Sequence, residues 1–452
     1  MAKEKKIFFC KECGYESGRW LGQCPGCKEW NTFVEQEVKP VRGSKTVSVM
    51  ERPKPSSIKE ISSAEETRIM TGIGELDRVL GGGIVKGSLV LVGGAPGIGK
   101  STLLLEMCRN LVEKNAGVLY VSGEESLSQI KMRGVRLGAY DDRLLIMSDN
   151  DIDNIEAAIE ECKSDVVIID SIQTMEAPGV DSAPGTITQV REVTSRMLQL
   201  SKRLGVAVFI VGHVTKEGTV AGPRTLEHMV DCVLYFEGDD SAGFRLLRAE
   251  KNRFGSTNEV GVFNMTDKGL EGVSNPSQMF LNGRPAGASG SVVVSTIEGT
   301  RAILVELQAL CADSSFNMPR RTAVGVDYNR VNLLIAVLEK RGGISLSGCD
   351  CYVNIAGGMK VAEPSTDLGI ICAITSSFRD RAVGDDLVII GEVGLAGEIR
   401  GVRSCGQRVR EAAKMGYKRA MIPKSNMNSE LESISDIEII PVSTIREAMD
   451  II

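Results

Sequence analysis

The stretch from Leu89 to Leu105, LVLVGGAPGIGKSTLLL, decides how the rest of the chain is read. An apolar run of strand character enters a glycine-rich turn and leaves it as a helix. Within it Gly94, Ala95, Pro96, Gly97, Ile98, Gly99, Lys100 and Ser101 fit G-x-x-x-x-G-K-[ST]. Backbone N–H groups of such a loop surround nucleotide phosphates, and the following helix directs its positive end at them. Glycines let the main chain approach without a Cβ in the way. Lys100 would reach the β- and γ-phosphates of ATP, the Ser101 hydroxyl would ligate Mg²⁺, and Thr102 would sit beside the α/β-phosphates. An accidental glycine-rich turn is the alternative, but motif, preceding strand and following helix all occur in the required order.

Beyond the loop, apolar strands alternate with helices at Val118–Ser122, Leu144–Met147, Val166–Asp170 and Ala207–Val211, which implies a wound, mostly parallel α/β sheet. The strand VVIID ends at Asp170, placed to hold the Mg²⁺ hydration shell opposite Ser101. Glu124 and Glu125 follow the second strand. One of them would polarise the attacking water, Glu124 by preference, and the other would cap the next helix. His213 ends the fifth strand and is one of only 2 histidines. It would either sense the γ-phosphate and relay its state to the loop Val214 to Arg224, or be a satisfied strand-end histidine. That loop, with Gly218, Gly222, Pro223, Lys216 and Arg224, reads as a mobile, basic surface segment.

A chain of 452 residues exceeds what one core serves, so two or three domains are expected. The 42% apolar content supports sizeable cores, and the net charge of −6 excludes a basic nucleic-acid coat protein, so any anion binding is local. No apolar run approaches the ~20 residues that span a bilayer. The lysine-rich start meets a cysteine motif instead of a signal-peptide stretch, so a soluble, cytoplasmic protein with no membrane contact is expected.

Of the 12 cysteines, Cys10, Cys13, Cys24 and Cys27 form C-x₂-C-x₁₀-C-x₂-C, a spacing that places four thiolates around one ion. Zinc is favoured over iron because a structural site needs no redox partner. The remaining cysteines sit in apolar contexts and read as reduced core thiols. Trp20 and Trp30, the chain's 2 tryptophans, lie in this module. They would stack on bases or, by preference, pack its small core. From Gln36 to about Glu66 the chain is polar and proline-bearing, which reads as a tether. Its basic excess would help approach a polyanion or simply be solvated.

The run TGIGELDRVLGGGIVKGSLVLVGGAPGIGKSTLL, the YVSGEES turn, VVIIDSIQT, VGHVTKEG and the motif Lys251-Asn252-Arg253-Phe254-Gly255 together resemble the RadA (Sms) family of bacterial RecA-like DNA repair proteins. The four-cysteine knuckle belongs to the same pattern, and the likeness covers essentially the whole chain. It implies a RecA-like core in which Lys251 and Arg253 contact nucleotide held by a neighbouring subunit. Two cations at i and i+2 on one face of an extended strand suit that task. The partners it implies are single-stranded and branched DNA, RecA recombinase and further copies of this chain in a hexameric ring.

From about Gly287 strands and helices resume, at Ser291–Thr296, Ala302–Leu307 and Tyr328–Lys340, and this part is similar to the domain of Lon proteases. Lon-type proteolysis needs a serine and a lysine base. Glu363-Pro364-Ser365 resembles the serine segment, but where the family's lysine belongs the chain reads Ser404-Cys405-Gly406-Gln407. Only Lys360 is near in sequence.

The expected organisation is a zinc module (1–35), a linker (36–66), a RecA-like ATPase domain (67–275) and a non-proteolytic Lon-like α/β domain (287–452). The expected activity is DNA-dependent ATP hydrolysis driving branch migration or helicase-like translocation. An ATP-dependent Lon-like protease and a KaiC-like nucleotide-switched signalling ATPase are the rivals.

Overall fold

The structure is a computed structural model that describes residues 6–10, 16–17, 19–25, 28–37, 68–139, 141–213, 225–238, 243–314 and 319–452. These gather into two compact units. One comprises residues up to 72 together with 82–235 and 251–254, the other 73–81, 236–250 and 255–452. Among the described residues no helix is long and apolar enough to cross a membrane.

The first unit begins with a small antiparallel sheet in which β1 (Lys6–Cys10) lies between β2 (Glu16–Ser17) and β3 (Phe33–Glu37). β3 therefore runs two residues into the span expected to be linker, and the remainder of that linker lies outside the described residues. After the short helix α1 (Gly74–Leu80), which belongs to the second unit, the alternating pattern appears as expected. It runs β4 (Leu89–Gly94), α2 (Lys100–Glu113), β5 (Val118–Ser122), α3 (Leu127–Arg136), β6 (Leu144–Ser148), α4 (Ile152–Cys162), β7 (Val166–Asp170), α5 (Ile187–Leu204), β8 (Ala207–His213) and β9 (Cys232–Glu237). These strands pair in the order β9-β4-β8-β7-β5-β6, every pair parallel. Helices cover both faces of such a sheet, so its strands read as continuous apolar runs; β4, β5 and β7 are buried at every residue. Local signals start and stop the helices. Ser126 and Gln129 form a reciprocal capping box at α3, and Gly205 closes α5 at φ +69°.

The second unit holds the antiparallel strands β10 (Phe244–Asn252, its last two residues in the first unit), β11 (Val260–Thr266) and β12 (Gly269–Gly272), then α6 (Pro276–Leu281). There follow β13 (Ser291–Glu298), β14 (Arg301–Asp313), β15 (Arg321–Val324), α7 (Tyr328–Val337), β16 (Cys349–Ile355), α8 (Asp367–Arg379), β17 (Leu387–Ile389), the hairpin β18 (Glu392–Val393) and β19 (Ile399–Arg400), α9 (Cys405–Lys414), β20 (Arg419–Pro423), α10 (Ser429–Glu432), β21 (Glu438–Val442) and α11 (Ile445–Ile451). Seven of these strands form a mixed sheet ordered β15-β16-β14-β13-β17-β20-β21. α7 is shorter than expected: at Leu338 it widens into a π-turn that Gly343 ends at φ +77°.

The second unit also cuts across the expected 67–275 span, because α1 and β10 are tied to later residues. Glu75 Oε2 accepts from Val262 N at 3.0 Å and from Arg301 Nη1 at 2.6 Å, and Arg248 Nη2 donates to Glu298 at 2.9 Å. An ion pair buried on one side fixes its elements tightly, since removing either partner strands a charge.

Candidate nucleotide site

β4 delivers Gly94 to the end of the sheet, and the chain then turns through glycines at φ +76° (Gly97) and +114° (Gly99) before α2 begins at Lys100. That left-handed backbone at Gly99 is open to glycine and costly for other residues. Ala95, Pro96 and Gly97 are exposed, while Ile98 is buried. Ser101 and Thr102 sit half-buried in the first turn of α2. Lys100 is buried and folded back: its Nζ donates to Gly94 O and Ala95 O, both at 2.9 Å, and lies 3.1 Å from His213 Nδ1. Burial lowers its pKa to about 8, against the opposing pull of Asp170 and Glu124.

Register explains the company Lys100 keeps. Gly94 on β4 is paired with His213 on β8, and Ser122 on β5 with Asp170 on β7, so four chain segments distant in sequence end side by side. Glu124 faces the cluster: its Oε1 accepts from Ser171 Oγ and lies 3.4 Å from His213 Nε2. Burial and then the charge of Lys100 depress the His213 pKa. A neutral ring accepting from Lys100 at Nδ1 carries its proton on Nε2, toward Glu124. Asp170 is buried, and its Oδ2 accepts from Tyr120 Oη at 2.5 Å. Gly123 makes this crowding possible, since a Cβ there would meet Thr174 Oγ1 at 2.1 Å.

Glu125 is not part of the cluster. It pairs with Arg133 on α3, and α3 is capped by Ser126, so the spare carboxylate anchors the helix without capping it. The loop Val214 to Arg224 lies outside the described residues. Tyr120 and Ser171 went unnoticed in the sequence: a buried strand tyrosine and the serine after a strand carry no local signature of the carboxylates they contact.

Lys251 lies near the end of β10, whereas Arg253 falls one residue beyond it, so the two do not share a strand face as expected. Lys251 Nζ donates to Glu227 O at 2.8 Å and His228 O at 3.4 Å, and Arg253 Nη1 to Asp231 Oδ1 at 3.0 Å. Asn252 Oδ1 accepts from Phe254 N at 2.9 Å and closes the turn that leads into Gly255. Buried Asp231 accepts from Leu89 N at 3.1 Å and Lys202 Nζ at 2.9 Å. Leu89 begins β4 and Gly94 ends it, so Arg253 is moored at the opposite end of that strand from the phosphate loop, about 16 Å away at ~3.3 Å per residue.

In the N-terminal module Cys10 and Cys24 are almost fully buried and pack with Phe33, and Cys10 Sγ is hydrogen-bonded to Thr32 Oγ1 at 3.1 Å. A tight turn brings Lys28 N to Cys24 O at 2.8 Å, with Lys28 at φ +65°. Inward thiols, one ending β1 and one at the start of a turn, fit a thiolate-bound ion such as Zn²⁺; Cys13 and Cys27 lie outside the described residues. The expectation that both tryptophans pack the core is overturned: Trp20 is 52% and Trp30 68% exposed, and the rings of both lie 3.8 Å from a side-chain position at Gly22. Among the described residues the buried core of the module is Cys10, Cys24 and Phe33 with Phe8 and Leu21 against it, and both indoles lie outside it.

Ser365 is buried, and the cation beside it is Arg408, the residue that follows the Ser404 to Gln407 run. Arg408 is fully buried. It donates from Nη1 to Ser365 Oγ at 3.0 Å and Ser295 O at 2.5 Å, from Nε to Arg403 O at 3.0 Å, and it pairs with Glu363. Ser365 Oγ in turn donates to Ser295 O at 3.1 Å. A guanidinium cannot take the serine's proton. Lys360 is exposed.

Comparison with known proteins matches the regions so described. Residues 8–35 fit the model of a rubredoxin metal binding domain, 53–219 that of an AAA domain, and 320–426 that of subunit ChlI of Mg-chelatase. The architecture is thus an ATPase core between an N-terminal zinc ribbon and a ChlI-like, Lon-like C-terminal domain. A KaiC-like protein of Pyrococcus horikoshii aligns with 46% of this chain and 98% of its own at 19% identity and a TM-score of 0.38. DNA repair protein RadA of Halalkalibacterium halodurans is 53% identical over 454 residues, covering 100% of this chain and 99% of its own. The RadA proteins of Bacillus subtilis and Listeria monocytogenes are 52% and 50% identical, each over 453 residues and 99% of both chains. With half its residues shared along its whole length, the chain belongs to the RadA family of DNA repair proteins.

Proposed function

We propose that this chain is a cytoplasmic, DNA-dependent ATP hydrolase that moves along single-stranded and branched DNA at recombination intermediates, in partnership with RecA recombinase. The observation that carries the reading is the convergence of Lys100, Asp170, Glu124 and His213 on the phosphate loop. On ATP binding the Lys100 ammonium exchanges two loop carbonyls for phosphate oxygens. Glu124, exposed at the cluster's rim, orients the attacking water, and His213 links it to Lys100 and on to residues 214–224. Ser101 and Asp170 offer the hard oxygen donors that suit Mg²⁺, which supplies charge neutralisation at the β- and γ-phosphates when bound.

Lys251, near the end of β10, and Arg253, moored at the far end of β4, serve the nucleotide of the next subunit, and this favours a closed homo-oligomer such as a hexameric ring. The zinc module (1–35), the linker (36–66), the ATPase domain (67–275) and the Lon-like domain (287–452) are read as DNA- and assembly-directed parts of one motor. The buried Arg408 beside Ser365 speaks against the proteolytic rival. Steady-state ATPase with and without single-stranded DNA tests the reading. Turnover should rise several-fold with DNA and fall by about 10²–10³ in Lys100→Ala. DNA-indifferent turnover would remove the DNA dependence, and an active Lys100→Ala would remove the site.

A further inference from the structure

The seven-stranded sheet carries a thiol cluster that nothing above uses. β14 and β16 run antiparallel with Cys311 directly opposite Cys351, and β15 adds Arg321 in register with Cys351, so the three residues form a row across three strands. The main-chain groups of the facing cysteines turn away from each other. Cys311 N donates to Ser377 Oγ and Cys351 N to Arg320 O, both at 2.9 Å. They therefore occupy a non-hydrogen-bonded site, where antiparallel Cα atoms stand about 4.5 Å apart and side chains approach most closely. That spacing is within the span of a disulfide. Both are free thiols and are hydrogen-bonded to each other. Cys351 is fully buried, whereas Cys311 is half-buried against the C-terminal half of α8, its Sγ 3.8 Å from Ile374 O.

We propose that Cys311 and Cys351 form a hydroperoxide-sensitive dithiol, a modification site at which a disulfide joins β14 to β16. Cys311 is the attacking sulfur because it is the more exposed. Hydrogen bonds from the Cys351 thiol and Ser377, with the charge of Arg321, hold its thiol below the usual range despite partial burial. The same contact and burial push Cys351 up, so it keeps its proton for the second step. The Cys311 thiolate attacks the outer oxygen of hydrogen peroxide; an S–O bond forms, the O–O bond breaks, and hydroxide leaves with a proton as water. Cys351 sulfur then attacks the sulfenic sulfur; the S–S bond forms and the S–O bond breaks. The oxygen leaves with the Cys351 proton as a second water, so two thiols lose two electrons and one peroxide gains them. Cys349, two residues from Cys351 on the same face, is opposite Asp313 and is a bystander.

The test treats the full-length protein with hydrogen peroxide, alkylates remaining thiols and digests with trypsin, which places Cys311 in the peptide 302–320 and Cys349 with Cys351 in 342–360. The two peptides should appear joined, two hydrogens lighter than their sum, and separate on reduction. The joined species should persist in Cys349→Ser and vanish in Cys351→Ala, where Cys311 should instead be trapped as a sulfenic acid by dimedone. The proposal is overturned if wild-type Cys311 is recovered alkylated or as sulfinic acid without the joined peptide, or if the link persists in Cys351→Ala.

Discussion

Lys100 Nζ lies 3.1 Å from His213 Nδ1, and the far nitrogen of that ring lies 3.4 Å from Glu124, so one imidazole bridges the phosphate-loop cation and the carboxylate at the site's rim. The arrangement exists because β4 and β8 are paired with Gly94 beside His213.

Burial of Lys100 should make nucleotide binding proton-linked. Lys100 titrates at about 8 because burial strips water from its ammonium. Phosphate favours the charged form, so the bound pKa lies above the free one. Affinity is then greatest below pH 8 and falls as pH rises through the free value. At pH 8 binding should take up about half a proton, read by calorimetry in buffers of different ionisation enthalpy. Lys100→Arg should abolish that uptake, and buffer-independent heats in the wild type would show that Lys100 does not titrate there.

If Lys251 and Arg253, with Arg253 moored on Asp231 at the start of β4, serve a neighbour's nucleotide, variants should complement between subunits. Lys251→Ala should bind ATP and fail to hydrolyse it; Lys100→Ala should fail at its own site while still offering Lys251 to the next. Mixing the two should restore part of the ATPase. Mixed assemblies that form and stay inactive at every ratio would argue that Lys251 works within its own chain, and a crosslink from position 251 to nucleotide on a tagged neighbour distinguishes this from a need for several intact interfaces.

The cysteine module should hold one metal ion. Elemental analysis should give about one zinc per chain, lost in Cys24→Ser because three thiolates hold it far less tightly. A zinc-free wild-type preparation with four titratable thiols in this module would contradict the assignment.

Arg408 should be structural. Its replacement by alanine leaves Glu363 without its cation and Ser365 without its donor, and should lower stability by about 3 kcal/mol in denaturant melts. Ser365→Ala should leave ATPase near wild type. Peptide hydrolysis by the wild type that disappears in Ser365→Ala would restore a proteolytic role.

Local chemistry in the chain was enough for the core parallel strands and the phosphate loop. G-x-x-x-x-G-K-S needs only consecutive residues to specify glycine turns and a helix start, and the apolar runs of β4, β5 and β7 announce strands buried on both faces. Even Asp170 at its strand end was legible, since a parallel sheet presents all its carboxyl ends on one side. What pairing alone decided is who stands next to whom. Glu124 and Glu125 are neighbours for which sequence gives a preference but no contacts; the fold sets one toward His213 and leaves the other to Arg133. The missing lysine near Ser365 was visible as an absence, but the arginine beside Ser365 stands there only because α9 lays Arg408 against Ser295 and Glu363, 113 and 45 residues away. The thiols of Cys311 and Cys351 meet for the same reason: a one-residue change of register would put them on opposite faces of the sheet. Register is a property of the whole packed core, and no local stretch of residues carries it.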